Sequence, residues 1–302
     1  MNTPRPSSWV ILALVGLAWG TSFPVMRVAL EDQTPLTVSA MRIALAAAMI
    51  WAITRARGLR LPRFQGTDKR IWLASFGMAM LSNALPFSLL LFSLAYVSAG
   101  FAGITMAFVP LLVLPLGHFL LPDQPMTGRR ALGFSIGFVG VLVLIGPGVF
   151  SPGSGGWQEV FAQFGCVLAA FCYALGSIVT RRAPPGPTLV FSAAALLLAA
   201  LVMLPVALLV EGAPQSATPL SWASVAYLGL VPTALATLML VFLIKREGPA
   251  FLALANYQVP IWAVVLGVVF LDETLPPSFL AALALVLAGL AISQAKIGRA
   301  RV

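Results

Sequence analysis

Apolar residues in this chain fall into long runs separated by short clusters of Arg, Pro, Gly and acidic side chains. Runs bounded in this way predict helices near 9–30, 36–54, 71–95, 98–121 and 130–149, and again near 158–180, 188–210, 222–244, 249–271 and 277–296. The faintest boundary is Tyr96-Val97-Ser98, which hardly interrupts the apolar run between the third and fourth helices. A helix needs about 20 apolar residues to cross bilayer hydrocarbon, so ten spans would use about 200 of the 302 residues and leave only short loops and tails. The fold class this implies is an all-α polytopic membrane protein with ten transmembrane helices.

Composition agrees. The chain is 60% hydrophobic and 9% charged, with a mean hydropathy of +0.99, whereas a soluble domain carries about 25% charged residues. The net charge of +9 would suggest nucleic acid in a soluble protein, but in a membrane protein basic residues first report which loops face the cytoplasm. With the N-terminus inside, Arg5, the loop set Arg55, Arg57, Arg60, Arg63, Lys69 and Arg70, the pairs Arg129/Arg130, Arg181/Arg182 and Lys245/Arg246, and the tail residues Lys296, Arg299 and Arg301 all fall on one side. Glu31, Asp32, Glu211, Asp272 and Glu273 fall on the other. Both termini are therefore expected in the cytoplasm, and nucleic-acid binding is not expected. The first run contains Pro24 and Arg27 and lacks a small-residue cleavage site after a short apolar core, so it reads as a retained span rather than a signal peptide. Cys166 and Cys172 lie six residues apart in one helical run, on different faces, and are not expected to form a disulfide.

The chain also repeats itself. Shifted by 150 residues, Phe101, Pro110, Gly117 and Asp123 meet Phe251, Pro260, Gly267 and Glu273; Phe92 meets Phe242 and Leu121 meets Leu271. At a slightly different offset, Trp19 and Arg27 meet Tyr173 and Arg181. Five helices are an odd number of crossings, so residues 151–302 would repeat 1–150 upside down, and the charge bias of corresponding loops inverts accordingly. Inverted repeats are common in secondary transporters, where two similar halves exchange inward-open and outward-open shapes about a midplane site. The 5+5 arrangement, Trp19-Gly20, Arg42, and the acidic residues Asp123 and Glu273 closing the fourth and ninth helices resemble the EamA family of the drug/metabolite transporter superfamily. This sequence has Pro122-Asp123 and Asp272-Glu273 where the family more often ends in Gly-Glu. The resemblance implies an inner-membrane exporter of amino acids, aromatic ones among them, or of related amphipathic metabolites. It implies no tightly bound cofactor, and partners limited to the small-molecule substrate and the lipid bilayer, in a monomer or homodimer.

Candidate chemistry is sparse. There is no Gly-x-x-x-x-Gly-Lys-Ser/Thr phosphate loop, and one histidine with two separated cysteines makes no metal set. Gly133-Phe134-Ser135-Ile136-Gly137 has the form of a serine-hydrolase elbow, but it sits inside a helix rather than at a strand-to-helix turn. An intramembrane hydrolase using Ser135 and His118 is one alternative, and a non-transporting membrane scaffold is another; the plain reading of Gly133 and Gly137, as of Gly16 and Gly20, is close helix packing. Polar groups at mid-span are costly and default to function. The densest set is Asn256-Tyr257-Gln258 before Pro260, matched by Thr105, Met106 and Phe108 before Pro110, and both prolines are expected to break their helices. Interhelical hydrogen bonding would explain the same residues. Further candidates are Ser82 and Asn83 ahead of Pro86, Thr233 and Thr237 after Pro232, Trp19, Thr21 and Ser22, and Tyr173 as the partner of Trp19. Trp9 and Trp157 read as interfacial anchors.

Two cations fall within spans. Arg27 is four residues from Glu31 and suggests an i,i+4 pair. Arg42, about 9 Å into the second helix at 1.5 Å per residue, has no acidic neighbour in sequence and could attract a substrate carboxylate; otherwise it snorkels or caps carbonyls. The expected substrate site is thus drawn from Trp19, Ser22, Arg42, Asn83, Thr105, Phe108, Tyr173, Thr237, Asn256, Tyr257 and Gln258. No Asp or Glu lies at mid-span, which favours facilitated diffusion over proton coupling. Single cysteines placed at the two termini should both react with an impermeant thiol reagent only from the cytoplasmic side; labelling from opposite sides would refute the ten-span topology.

Overall fold

The computed structural model describes residues 5–63, 68–146, 156–214, 217–247, 251, 254–274 and 276–295. Nine of its helices are long and apolar enough to cross a membrane: α1 (Pro6–Ala29), α2 (Pro35–Ala56), α3 (Lys69–Leu94), α4 (Ala99–Leu120), α5 (Gly128–Ile145), α6 (Gly156–Arg182), α7 (Thr188–Val210), α8 (Pro219–Glu247) and α10 (Pro277–Gln294). The helix between the last two, α9 (Ala255–Leu271), is equally apolar and has 17 residues. No strand occurs among the described residues. These helices stand where the apolar runs place them, with ends set by local chemistry: Pro35, Pro219 and Pro277 each occupy a first helical turn, where a missing N–H costs nothing. Lys296, Arg299 and Arg301, and the ends of the runs expected to 149 and from 249, lie outside the described residues.

Three helices depart from regular α geometry. α3 widens into a π turn at Met80–Ala84 and α8 into another at Gly229–Leu235, 150 residues apart in the chain. α4 is interrupted at Ala107 and Phe108 and restarts at Val109, with Pro110 in the first turn of the new segment. The expected break at Pro260 is corrected: α9 begins five residues before this proline and runs through it to Leu271. The missing N–H leaves the Asn256 carbonyl without its intrahelical donor, and the helix is held through the proline by α1 and α4 packed along it.

Packing follows glycine. Between helices in lipid there is no hydrophobic driving force, and close backbone approach substitutes for it. α1 lies along α9, α2 along α7, α5 along α10, α4 against α9, α3 against α6 and α7, and α8 against α1 and α2. A side chain at Gly20 would sit 2.3 Å from Trp262 Cβ, and one at Gly103 2.2 Å from Ala263 Cβ. At the α5/α10 seam a Cβ on Gly133 would approach the Gly289 carbonyl to 2.5 Å, and one on Gly289 would approach the Gly137 nitrogen to 2.7 Å. Gly133 and Gly137 therefore serve as the packing pair that their spacing suggests. Both cysteines are free and buried. The outer surface is apolar, with Leu209 86% and Phe119 81% exposed, as expected of side chains facing lipid.

One end of the bundle is tied by carboxylates. Glu211, just past α7, accepts from the backbone N–H groups of Leu36 (3.0 Å) and Thr37 (2.8 Å) at the start of α2. Asp272 closes α9 in the left-handed region (φ 50°), which short polar residues tolerate, and Glu273 then accepts from Ala99 N–H (2.6 Å) and Gly100 N–H (3.0 Å) at the start of α4. Asp32 takes the hydroxyl and the N–H of Thr218 at the start of α8, and these bonds hold its carboxyl below the usual carboxylate range. Each acid thus satisfies orphan donors and complements a positive helix end. Arg27 is a second correction: instead of pairing with Glu31 it donates to the Val97 carbonyl at 2.9 Å, in the turn before α4. At the opposite end Arg181 pairs with Asp123 at 2.5 Å and Ser8 donates to Glu247 at 2.6 Å.

Overpacking a tight seam costs about 1–3 kcal/mol. Gly289→Val should lower the thermal midpoint of the detergent-solubilised protein by several degrees, whereas Gly186→Ala, whose added Cβ meets nothing within 4 Å, should leave it unchanged.

Candidate functional site

The polar centre of the bundle forms around one cation. Arg42 projects from α2 and is only 3% exposed. Its Nε donates to Thr233 Oγ1 at 2.8 Å, and its guanidinium carbon lies 3.8 Å from the centroid of the Phe87 ring on α3. Tyr173 on α6 sets its ring edge-on to Phe87 at 6.4 Å. One guanidinium nitrogen, Nη1, is buried without a hydrogen-bond partner among the described residues. Four helices therefore meet at this side chain.

The two π turns build that arrangement. Thr233 lies in the turn of α8; having accepted from Arg42, its hydroxyl donates to the Leu228 carbonyl five residues earlier, at 2.8 Å. Asn83 lies in the turn of α3 and its Nδ2 reaches the Met78 carbonyl, also five residues earlier, at 3.3 Å. A widened turn shifts the register of the carbonyls, and a polar side chain in each turn serves one of them. Thr237, one turn beyond Thr233, returns its hydroxyl to the Thr233 carbonyl at 2.6 Å. The widening in α3 also precedes Phe87, and the one in α8 admits Gly229, whose absent side chain lets α8 approach the Arg42 carbonyl; a Cβ there would be 2.9 Å from it. π turns are frequent at functional positions for this reason: they re-aim side chains without ending the helix.

Energetically the site is incomplete. Moving an ionised group out of water costs several kcal/mol even after relaxation. A cation–π contact returns up to about 2 kcal/mol, and one hydrogen bond to a charged group about 1.5–3 kcal/mol. No carboxylate contacts Arg42 among the described residues. The geometry leaves a buried donor that no acceptor among the described residues meets.

The remaining expected site residues separate into a second group. Phe108, at the interruption of α4, stacks on Phe134 of α5 at 5.8 Å, and Tyr257 packs against the same cluster. Thr105 is fully buried and returns its hydroxyl to the Phe101 carbonyl at 2.9 Å. Gln258 faces Gly16, filling the α1/α9 seam, and Asn256 is half-buried on the same helix. Trp19 and Tyr173 border one hydrophobic cluster that includes Phe23, Leu90 and Leu91. Ser22 Oγ is buried without a partner. Arg42 and Tyr173 thus meet at one centre through Thr233 and Phe87, with Thr237 and Asn83 one turn along α8 and α3 from those two residues, while Thr105, Phe108, Asn256, Tyr257 and Gln258 belong to the α1/α4/α9 side. Phe87 and Tyr227, whose hydroxyl bonds to Thr21 Oγ1 at 2.7 Å, escaped the sequence reading. Their only signal was proximity to a helix irregularity, at Pro86 and Pro232.

A crevice of about 430 Å³ lies at the basic end of the bundle. It lies between α2, α7 and α8, with Arg57, Lys245 and Arg246 at its mouth and Leu238, Val241 and Phe242 along its wall. On α8 the wall residues continue through Thr237 to Thr233, one helical face leading to Arg42. The two ends of the antiparallel α2/α7 pair differ in charge: Glu211 closes the start of α2, while Arg57 stands beside the start of α7, where the crevice remains open. The hydrolase pairing is not assembled. Ser135 is exposed on the surface of α5, and His118 Nδ1 accepts from the Met126 N–H at 3.2 Å.

Comparison with known proteins matches the EamA-like transporter family model twice, over residues 7–146 and 160–294. Among similar proteins is the uncharacterized inner membrane transporter YedA of Escherichia coli (strain K12), 26% identical over 86% of this chain and 81% of that one. Another is a probable amino-acid metabolite efflux pump of Salmonella typhimurium, 28% identical over 93% of this chain and 92% of that one. A crystal structure 21% identical in sequence superposes with a TM-score of 0.67, covering 96% of this chain and 98% of the other, and shares the fold.

The Arg42–Thr233 bond is testable without a ligand. Thr233→Val should destabilise the protein by about 1–3 kcal/mol by stranding a buried donor, and adding Arg42→Met should recover most of that loss in a double-mutant cycle of thermal midpoints.

Proposed function

The chain belongs to the EamA-like transporter family, a family of multi-pass membrane transporters, and on that premise we propose that it exports amino acids or related amphipathic carboxylates across the inner membrane. The observation that carries this is the buried Nη1 of Arg42, unpartnered among the described residues. A guanidinium pairs with a carboxylate in two parallel hydrogen bonds, and beside it Phe87 and Tyr173 offer apolar faces to the rest of the solute. The names of relatives point the same way, since one is a probable amino-acid metabolite efflux pump.

In this reading residues 1–150 and 151–302 are two inverted five-helix repeats, and α9 is the tenth span. Helix pairing supports it. Exchanging each helix for the one five places along turns α1/α9 into α6/α4, α3/α7 into α8/α2 and α3/α6 into α8/α1, all of which pack, and leaves α2/α7, α4/α9 and α5/α10 paired with themselves. The π turns and their side chains obey the same exchange, Asn83 with Met78 answering Thr233 with Leu228. The basic end faces the cytoplasm, with both termini there, and its crevice is the route by which an acidic solute reaches Arg42. The carboxylate ties at the other end hold the outer mouth shut in this conformation and release it as the halves rock. With no acidic side chain on the path, transport runs down the solute gradient.

Counterflow of radiolabelled amino acids into proteoliposomes tests this. Wild type should carry at least one amino acid and not its decarboxylated amine, with little response to an imposed pH gradient. Arg42→Met should reduce uptake at least tenfold, while Ser135→Ala leaves it unchanged. Transport that Arg42→Met does not alter would remove the site assignment, and strong acceleration by a pH gradient would remove the uniport mechanism.

A further inference from the structure

A second cavity, of about 520 Å³, lies at the end of the bundle tied by carboxylates, between α6 and the turns that precede α4 and α10. Its volume is in the range of small-molecule sites, roughly 300–1,000 Å³. Glu159 and Gln163 line it from the first two turns of α6. Four residues apart, they project from one face of that helix. Gln163 is 8% exposed, and its Oε1 is buried with no hydrogen-bond partner among the described residues. Such an orphan acceptor costs about 1–3 kcal/mol unless something donates to it. Glu159 is half-buried and engages no hydrogen bond or ion pair among the described residues. It differs in this from Glu211, Asp32 and Glu273 at the same end, which are all committed to helix starts. The nearby cation, Arg27, is occupied by the Val97 carbonyl.

The opposite wall is aromatic. Phe279 lies 6.0 Å from Phe101, and Tyr96 stands at the rim. A free carboxylate, an unpaired amide oxygen and aromatic faces in one cavity make a receptor for a cation that also has an apolar body. The acceptors take N–H donors, and the rings attract positive charge through their quadrupoles. A bare metal ion is a poor fit: calcium wants six to eight oxygens at about 2.3–2.6 Å, and no group of three acidic, cysteine or histidine ligands gathers among the described residues.

We infer that this cavity binds a primary ammonium group, with Glu159 and the Gln163 amide oxygen as its acceptors and Phe279 and Tyr96 against the carbon skeleton. The site is chemically the complement of Arg42. It stands whether or not Arg42 binds a carboxylate, and a probe without a carboxylate tests it alone. An ammonium group here could come from a solute leaving the outer mouth or from the headgroup of phosphatidylethanolamine.

Phenethylamine is the probe, titrated calorimetrically into the full-length protein in phosphatidylglycerol nanodiscs, with 3-phenylpropionate as the control. Phenethylamine should bind and 3-phenylpropionate should not compete with it. Glu159→Gln and Gln163→Leu should each weaken binding at least tenfold, and Arg42→Met should leave it unchanged. Adding phosphatidylethanolamine to the nanodiscs separates the sources: competition with phenethylamine assigns the site to the lipid headgroup, and no competition assigns it to a solute, the ammonium site standing in both cases. Should Glu159→Gln fail to fold, protection of wild-type Glu159 from carbodiimide modification by phenethylamine supplies the same readout. Absence of binding to wild type, binding that both variants retain, displacement by sodium at equal concentration, or no protection would overturn the inference.

Discussion

Inside a bilayer no water is present to complete a backbone hydrogen bond, so each N–H and C=O that a helix leaves unpaired must be answered by the protein itself. Most features of this molecule are answers to that demand. Helix starts at one end receive Glu211, Asp32 and Glu273. The two π turns receive Asn83 and Thr233, and the turn before α4 receives Arg27. Asn83 serves its own helix, but every other answer comes from a different segment or from a side chain that a neighbouring helix also uses, so satisfying the backbone largely assembles the bundle as well.

Arg42 is the exception that gives the centre its character. Thr233 is bonded both to it and to the wide turn of α8. The cation's position is therefore coupled to the helix irregularity, and any motion that reshapes the π turn also moves the cation. A guanidinium held by one bond and one ring, with a buried nitrogen that no described residue accepts from, is fixed in place without being fully satisfied. The same distinction applies at the carboxylate-tied end: three acids are spent on helix starts, and Glu159, beside the orphan oxygen of Gln163, is not.

Legibility in the sequence followed the range of the interaction. Span positions were legible because hydrocarbon imposes a length on each apolar run. The roles of Gly133 and Gly137 were legible because small residues four apart on a lipid-solvated helix have few other uses. Arg42, Asn83, Tyr173 and Thr237 were legible as candidates because polar groups at mid-span need a reason. Their grouping was not, and Asn256, Tyr257 and Gln258, the densest polar set in sequence, pack on the α1/α4/α9 side instead. Pro260 misled because neighbouring helices can hold a span through a proline, and Arg27 misled because a sequence neighbour at i+4 competes with partners seventy residues away.

The sequence by itself determined a helical membrane protein, its likeness between halves and the sorting of its charges, because lipid solvation and topology act on each segment separately. Only the tertiary structure decided which polar groups share a cavity, that acidic residues of one end close helix starts belonging to other segments, and that Nη1 of Arg42 and Oε1 of Gln163 have no partner among the described residues. Those facts depend on crossing helices and shifted turns, and an unmet hydrogen bond is a property of a neighbourhood that no single segment contains.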